Sequence, residues 1–201
     1  GKVSYRRATT LPILHTMAMQ ETPLGLVAQV CMSENGEFMH LMRSVAHHRT
    51  PPRARTFLTE VTLPWDDGEV GVRRLSETPI EFPATLARPG SRPQTVYGLT
   101  WRGDEPLPCL PVRIDVKTGR ACLLRLRSDE FAGEPVLLNK HPSRPDDQRS
   151  AWLLLLVDAQ KRDQGELRLY DGANLWRGPI ARAYLPQRTR FGFHTHFIPA
   201  A

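Results

Sequence analysis

Three features of this 201-residue chain predict an all-β fold. Its apolar residues recur with the period of short strands. Turns bearing Asn, Asp or Gly cut those segments apart at frequent intervals. With 18 prolines and 14 glycines, the chain leaves little room for long helices. A hydrophobic content of 40% is enough to bury a core, and no apolar run approaches the roughly 20 residues that a membrane-spanning helix needs.

Taken in order, the alternation predicts strands over residues 11–15, 24–32, 37–43, 57–63, 70–75, 95–101, 112–116, 121–126, 135–139, 151–158, 166–170, 180–185 and 191–198. The longest uninterrupted apolar stretch, 151–157, has the length of a strand buried on both faces. Between strands, Ser33-Glu34-Asn35-Gly36, Asp66-Asp67-Gly68, Lys117-Thr118-Gly119 and Asp171-Gly172 read as hairpin connections, because Asn, Asp and Gly tolerate the left-handed backbone that tight turns demand. Residues 46–55 and 140–149 read as longer loops, and strand-like character resumes unchanged after each. One architecture therefore runs through the chain. Consecutive antiparallel hairpins of this kind suit the blades of a propeller or the sheets of a sandwich, although no repeat is sharp enough to count blades.

Formal net charge is +6 and the pI is near 9.6, which raises the question of a polyanionic partner. The pattern argues against nucleic acid: only Lys2, Lys117, Lys140 and Lys161 are lysines, and the arginines are scattered without a block or an aromatic-interleaved stripe. A solvated, arginine-rich surface is the reading that follows. Cys31, Cys109 and Cys122 are odd in number and far apart, so neither a disulfide framework nor a thiolate zinc site is indicated and a reducing, cytoplasmic setting is expected. The chain opens at Gly1 without a signal- or transit-like segment and reads as one already under way.

Of the seven histidines, His47, His48 and His141 fall in polar loops and His40 in a strand where a packed or surface imidazole is the default. His15, His194 and His196 lie in aromatic or aliphatic strands, and His194 and His196, two apart, are expected on one strand face. A metal site built from such imidazoles needs a buried acceptor on the second ring nitrogen of each. Glu81 in Pro79-Ile80-Glu81-Phe82-Pro83 and Glu134 in Gly133-Glu134-Pro135-Val136 stand among apolar residues and prolines, a costly place for an unpaired carboxylate. Read alone, each is also consistent with a strand-edge Glu facing water. No nucleophile elbow, phosphate-cradling loop, dinucleotide fingerprint or His-Glu-x-x-His motif is present. Asp66-Asp67 and Asp146-Asp147 read as solvated loop carboxylates.

The C-terminal stretch, through Pro179-Ile180-Ala181-Arg182-Ala183-Tyr184-Leu185-Pro186 to Arg190-Phe191-Gly192-Phe193-His194, resembles the closing segment of the carotenoid cleavage oxygenases, the family of carotenoid- and stilbene-cleaving dioxygenases and the retinoid isomerase of the eye. Glu81-Phe82-Pro83 resembles that family's Glu-Phe-Pro motif, and Gly133-Glu134-Pro135-Val136 its Gly-Glu-Pro-Val motif. Leu14-His15 through Gln20-Glu21 keeps the His and the closing Glu of a third motif but lacks its Asn, Ala and Tyr. After His194 the family's Gly-Thr is replaced by Thr195 and His196.

The resemblance implies the C-terminal part of a seven-bladed β-propeller, so that residues 1–201 form a partial domain whose N-terminal part is missing. It implies Fe(II) held by four imidazoles. His15 and His194 would be two of them, Glu81 and Glu134 would partner imidazoles, and Phe82, Phe191 and Phe193 would line the substrate tunnel or pack beside it. The reaction implied is cleavage by dioxygen of a conjugated C=C bond in a carotenoid, apocarotenoid or stilbene, giving two carbonyl products. The partners are then an apolar conjugated substrate and dioxygen, with peripheral membrane contact left open. With two of four ligands, the segment alone is expected to be inactive. The rival reading is a metal-free β-propeller binding module or degenerate remnant.

Overall fold

The computed structural model describes residues 5, 8–49, 54–141, 147–148, 150–189, 192 and 194–198. Three four-stranded antiparallel meanders follow one another along the chain. The first comprises β1 (Ile13–Thr22), β2 (Gly25–Ser33), β3 (Thr56–Pro64) and β4 (Gly71–Pro79). The second comprises β5 (Glu81–Ala84), β6 (Thr95–Thr100), β7 (Leu110–Asp115) and β8 (Ala121–Leu123). The third comprises β10 (Val136–Asn139), β11 (Ala151–Ala159), β12 (Gln164–Asp171) and β13 (Pro179–Tyr184), with the short β9 (Glu130–Ala132) pairing the end of β11 beside β10. Apart from β9, strand order follows chain order in each sheet, which is the blade unit of a propeller.

Strand alternation explains how the sheets stack. On β6, Val96 points into a core shared with Cys31, Leu58 and Leu75 of the first sheet, whereas Tyr97 and Leu99 point into a core shared with Leu153, Leu155 and Val157 of the third. The second sheet is thus covered on both faces, and all six residues of β6 are buried. Burial of each such leucine contributes about 2 kcal/mol. The apolar 151–157 run is the central strand β11, as its composition predicts, but one face is fully buried and the other only half.

Two predicted strands take other forms. Residues 37–43 lie within the helix α1 (Glu37–Ala46). Phe38, Leu41, Met42 and Val45 recur at helical spacing and pack on Leu14, Ala54, Trp101 and Leu107. Gly36, with φ 72°, and Asn35, whose side chain accepts from the Glu37 amide, form the helix entry where a hairpin turn was expected. His40 therefore sits on the exposed face of a helix. The described residues of 191–198 form no strand, so His194 and His196 do not share a strand face. Conversely, β5 and β9 are too short, at four and three residues, to show a period in sequence.

The turns at Asp66-Asp67-Gly68 and Lys117-Thr118-Gly119 join neighbouring antiparallel strands as expected. Asp171-Gly172 opens a 3-10 segment (Gly172–Arg177) before β13. The arginines are not all surface groups. Arg168, 2% exposed, is clamped between Glu130 and Glu166, which also accept from Arg162. These pairs tie the β9 strand to the β11–β12 hairpin.

Candidate functional site

The predicted site residues come from four separate places in the chain. His15 lies at the start of β1, opposite Cys31 and beside a register irregularity. Glu81 opens β5 opposite Leu99, near the end of β6. Glu134 stands in the connection just before β10, and His194 in the irregular C-terminal segment. The first strand of each of the first two meanders thus carries His15 and Glu81, and the connection into the third carries Glu134; Leu14, next to His15, packs with Trp101 against α1. Asp146, Phe191 and Phe193 lie outside the described residues.

Glu81 is wholly buried. Its Oε2 accepts from His15 Nδ1 and from the backbone N–H of Phe82, at 2.9 Å for the latter, while Oε1 has no hydrogen-bond partner. Only a short approach of the backbone makes this placement feasible. Gly98 on β6 has Glu81 O and the Ile80 side chain so close that a Cβ there would lie 2.6–2.7 Å from them. The hydrogen bond to Glu81 raises the His15 pKa above its ordinary value; partial burial opposes this, and the charges of Glu81 and Glu134 reinforce it. Beneath them, burial and then the Glu81 charge push the Cys31 thiol well up, which keeps it inert.

The second pair is looser. His194 Nδ1 lies 3.4 Å from Glu134 Oε2, and the same oxygen accepts from the Thr195 N–H at 2.7 Å. Thr195 Oγ1 also donates to the Glu134 carbonyl, at 3.1 Å. The segment carrying His194 is pinned further back, where Arg188 makes a bidentate pair with Asp158 at 2.6 and 2.9 Å and Gly165 lets Gln187 and Thr189 pass close over β12. Hydrogen bonds and a glycine contact hold this histidine where strand pairing was expected to do so.

The two imidazoles converge, with ring centroids 5.7 Å apart and planes 75° to each other. Phe82 completes a triangle of rings, 5.4 Å from His15 and 6.2 Å from His194. It is 4% exposed and joins the core between the second and third sheets. His196 does not join the triangle; it borders a cavity of about 700 Å³ with Met17, Met19 and Pro83, which Glu134 and Thr195 also line. A second cavity of about 430 Å³, lined by Pro106, Leu107, Phe131 and Leu156, ends at Thr195 beside the His194–Glu134 pair and carries Asp158–Arg188 on its wall.

A neutral imidazole that donates through Nδ1 keeps its lone pair on Nε2. His15 therefore presents the nitrogen a metal takes, with its other nitrogen on Glu81, while His194 Nδ1 stands 3.4 Å from Glu134 Oε2. Nitrogen donors of this kind suit Fe(II), so the residues present fit an imidazole-bound iron. Among the described residues no group of three or more His, Cys, Asp or Glu converges to hold a metal. Sequence reasoning missed Gly98, Thr195 and the Asp158–Arg188 tether, none of which carries a local signal.

Comparison with known proteins places this arrangement. The family profile described as RPE65, Retinal pigment epithelial membrane protein, matches residues 2–199. Carotenoid 9,10(9',10')-cleavage dioxygenase 1 of Pisum sativum is 21% identical over 154 residues, which cover 70% of this chain and 28% of that protein. The structure of cobalt-substituted Synechocystis ACO, an apocarotenoid oxygenase, superposes with a TM-score of 0.72 at 18% identity, over 90% of this chain and 38% of that one. The lignostilbene dioxygenase of Pseudomonas brassicacearum gives a TM-score of 0.72 at 21% identity, over 90% of this chain and 40% of its own. Fold and comparisons together define a mostly β, blade-built segment with the fold of part of the carotenoid-oxygenase structures. The chain belongs to the carotenoid oxygenase family, that of RPE65. It spans well under half the length of the relatives it matches.

Proposed function

We propose that this chain is the C-terminal, three-blade part of a non-haem Fe(II) dioxygenase that cleaves a conjugated C=C bond of a carotenoid, apocarotenoid or stilbene into two carbonyl products. Three blades of seven agree with the 38–40% of the matched structures that the chain covers. The observation that carries the reading is the convergence of His15 and His194, each backed by its own glutamate, from residues far apart in sequence. A fully buried carboxylate with one unpartnered oxygen has little use in a binding scaffold that holds no metal.

In this reading Glu81 fixes His15 in the tautomer that presents Nε2, and its charge offsets part of the metal's. Glu134, steadied by the Thr195 amide, does the same for His194 with a longer contact. Bound Fe(II) would supply the binding and activation of dioxygen. The apolar cavity ending at Thr195 would take the conjugated chain and keep water from it, and the Asp158–Arg188 pair in its wall would meet an oxygenated end group. The remaining imidazoles would come from the rest of the protein, so the segment alone is expected to be inactive. The free, buried Cys31 and Cys109 thiols fit the cytoplasmic setting proposed with it.

The test is cobalt(II) titration, followed by its visible absorption, on the protein that carries this chain, with and without His194→Ala. The substitution is expected to abolish stoichiometric uptake. Unchanged uptake would remove His194 from the site, and a parent protein that takes no metal would favour the metal-free module.

A further inference from the structure

Phe82 is one of three non-glycine residues among the described ones with a left-handed backbone, at φ 52°. A bulky aromatic seldom takes this conformation, and where one does the surroundings must hold it. Two neighbours do so. Gly98 lets Ile80 and the Glu81 carbonyl press into β6, and Pro83 follows immediately. The turn has two results. It folds the Phe82 N–H back on Glu81 Oε2, the oxygen that also receives His15. It also throws the ring inward, buried, against both imidazoles.

We propose that Phe82 is a positioning residue: its ring, delivered by the left-handed turn, is a wedge that sets the separation and tilt of His15 and His194 before any metal arrives. The inference rests on the iron-centre reading for its purpose, but its geometry stands apart from it. His15 is braced on one side by Glu81 and on the other by the ring. His194 sits on an irregular segment with a 3.4 Å contact to Glu134 and a side chain 69% exposed, so the edge-on Phe82 ring is the apolar surface it rests on. Without that surface, His194 keeps only its long carboxylate contact, and its ring is free to turn away from His15. A strained, core-packed aromatic would thus hold a two-nitrogen platform ready, which lowers the ordering that metal binding must impose.

The experiment compares Phe82→Leu, which keeps apolar bulk and the backbone N–H, with Phe82→Tyr, which keeps the flat ring. In the metal-free protein, NMR is expected to show cross-relaxation between the His15 and His194 rings in the parent and in the Tyr variant, and its loss in the Leu variant. Cobalt(II) affinity is expected to fall about tenfold in Phe82→Leu and to stay within a factor of two or so in Phe82→Tyr. A Leu variant that loses urea stability yet keeps the ring-to-ring signal makes Phe82 a packing residue only and overturns the proposal. Equal cobalt affinity in parent and Leu variant does the same while leaving the metal reading intact. A parent that binds no cobalt but shows Phe82-dependent ring contact upholds the wedge and defeats the metal reading.

Discussion

Gly98→Ala tests whether the close approach of β5 to β6 builds the site. Gly98 has an ordinary backbone conformation, so in open space the added methyl would stabilise the protein by about 0.4–1 kcal/mol, through the lower entropy of the unfolded chain. Here its Cβ would stand 2.6 Å from Ile80 Cγ1, 2.7 Å from Ile80 Cδ1 and 2.7 Å from Glu81 O. Apolar atoms rest at about 3.5–4.0 Å, so the Ile80–Glu81 backbone must retreat by roughly 1 Å. Overpacking of this size costs about 1–3 kcal/mol, and the net sign is therefore destabilising. The same retreat draws the Glu81 carboxylate off His15, and metal affinity should fall at least about tenfold. Urea unfolding gives the first quantity and cobalt(II) titration the second. A Gly98→Ala protein as stable as the parent or more so would show that β5 has room to spare and that the packing argument is wrong.

Acid stability should report the buried ion network. Burial alone would raise the Glu130 pKa, but hydrogen bonds from Arg168 and Arg162 outweigh it and hold the carboxyl down at about 2. Because the folded value lies below the unfolded one, the stabilisation is complete above about pH 4.5 and is lost as pH falls towards 2. It amounts to about 3 kcal/mol, readable as the fall in urea-unfolding free energy across that window. Glu130→Gln should flatten this dependence while destabilising at neutral pH by about 3–5 kcal/mol, because Arg168 is left buried with a lost partner; a parent equally stable at pH 2.5 and 5 would contradict the network. Asp158→Asn removes the bidentate seat of Arg188 and should loosen the segment that carries His194, making exchange of the Thr195 amide about tenfold faster. Unchanged protection of that amide would mean that the Glu134 contacts suffice.

The sequence by itself determined the strand content and most strand positions, and it singled out Glu81 and Glu134, because these are written in local alternation and in short contiguous motifs. The buried run at 151–157, the turns at Asp66-Asp67-Gly68 and Lys117-Thr118-Gly119, and the embedding of Glu81 and Glu134 among apolar residues are all properties of neighbours in the chain. It misassigned 37–43, where Phe38 and Met42, four apart, satisfy helical spacing as well as strand spacing and only the apolar floor of Leu14 and Trp101 chose between them. It could not show that His194 would leave the strand pattern, or that His15 would stand 5.7 Å from it by ring centroids. Those distances depend on which sheet faces which, on a missing Cβ at Gly98, on the Asp158–Arg188 tether and on the left-handed turn at Phe82. Each depends on a contact between residues distant in the chain, as the Phe82 turn does on the approach of β5 to Gly98. Such contacts are settled by packing and hydrogen-bond closure in three dimensions, and local composition carries no trace of them.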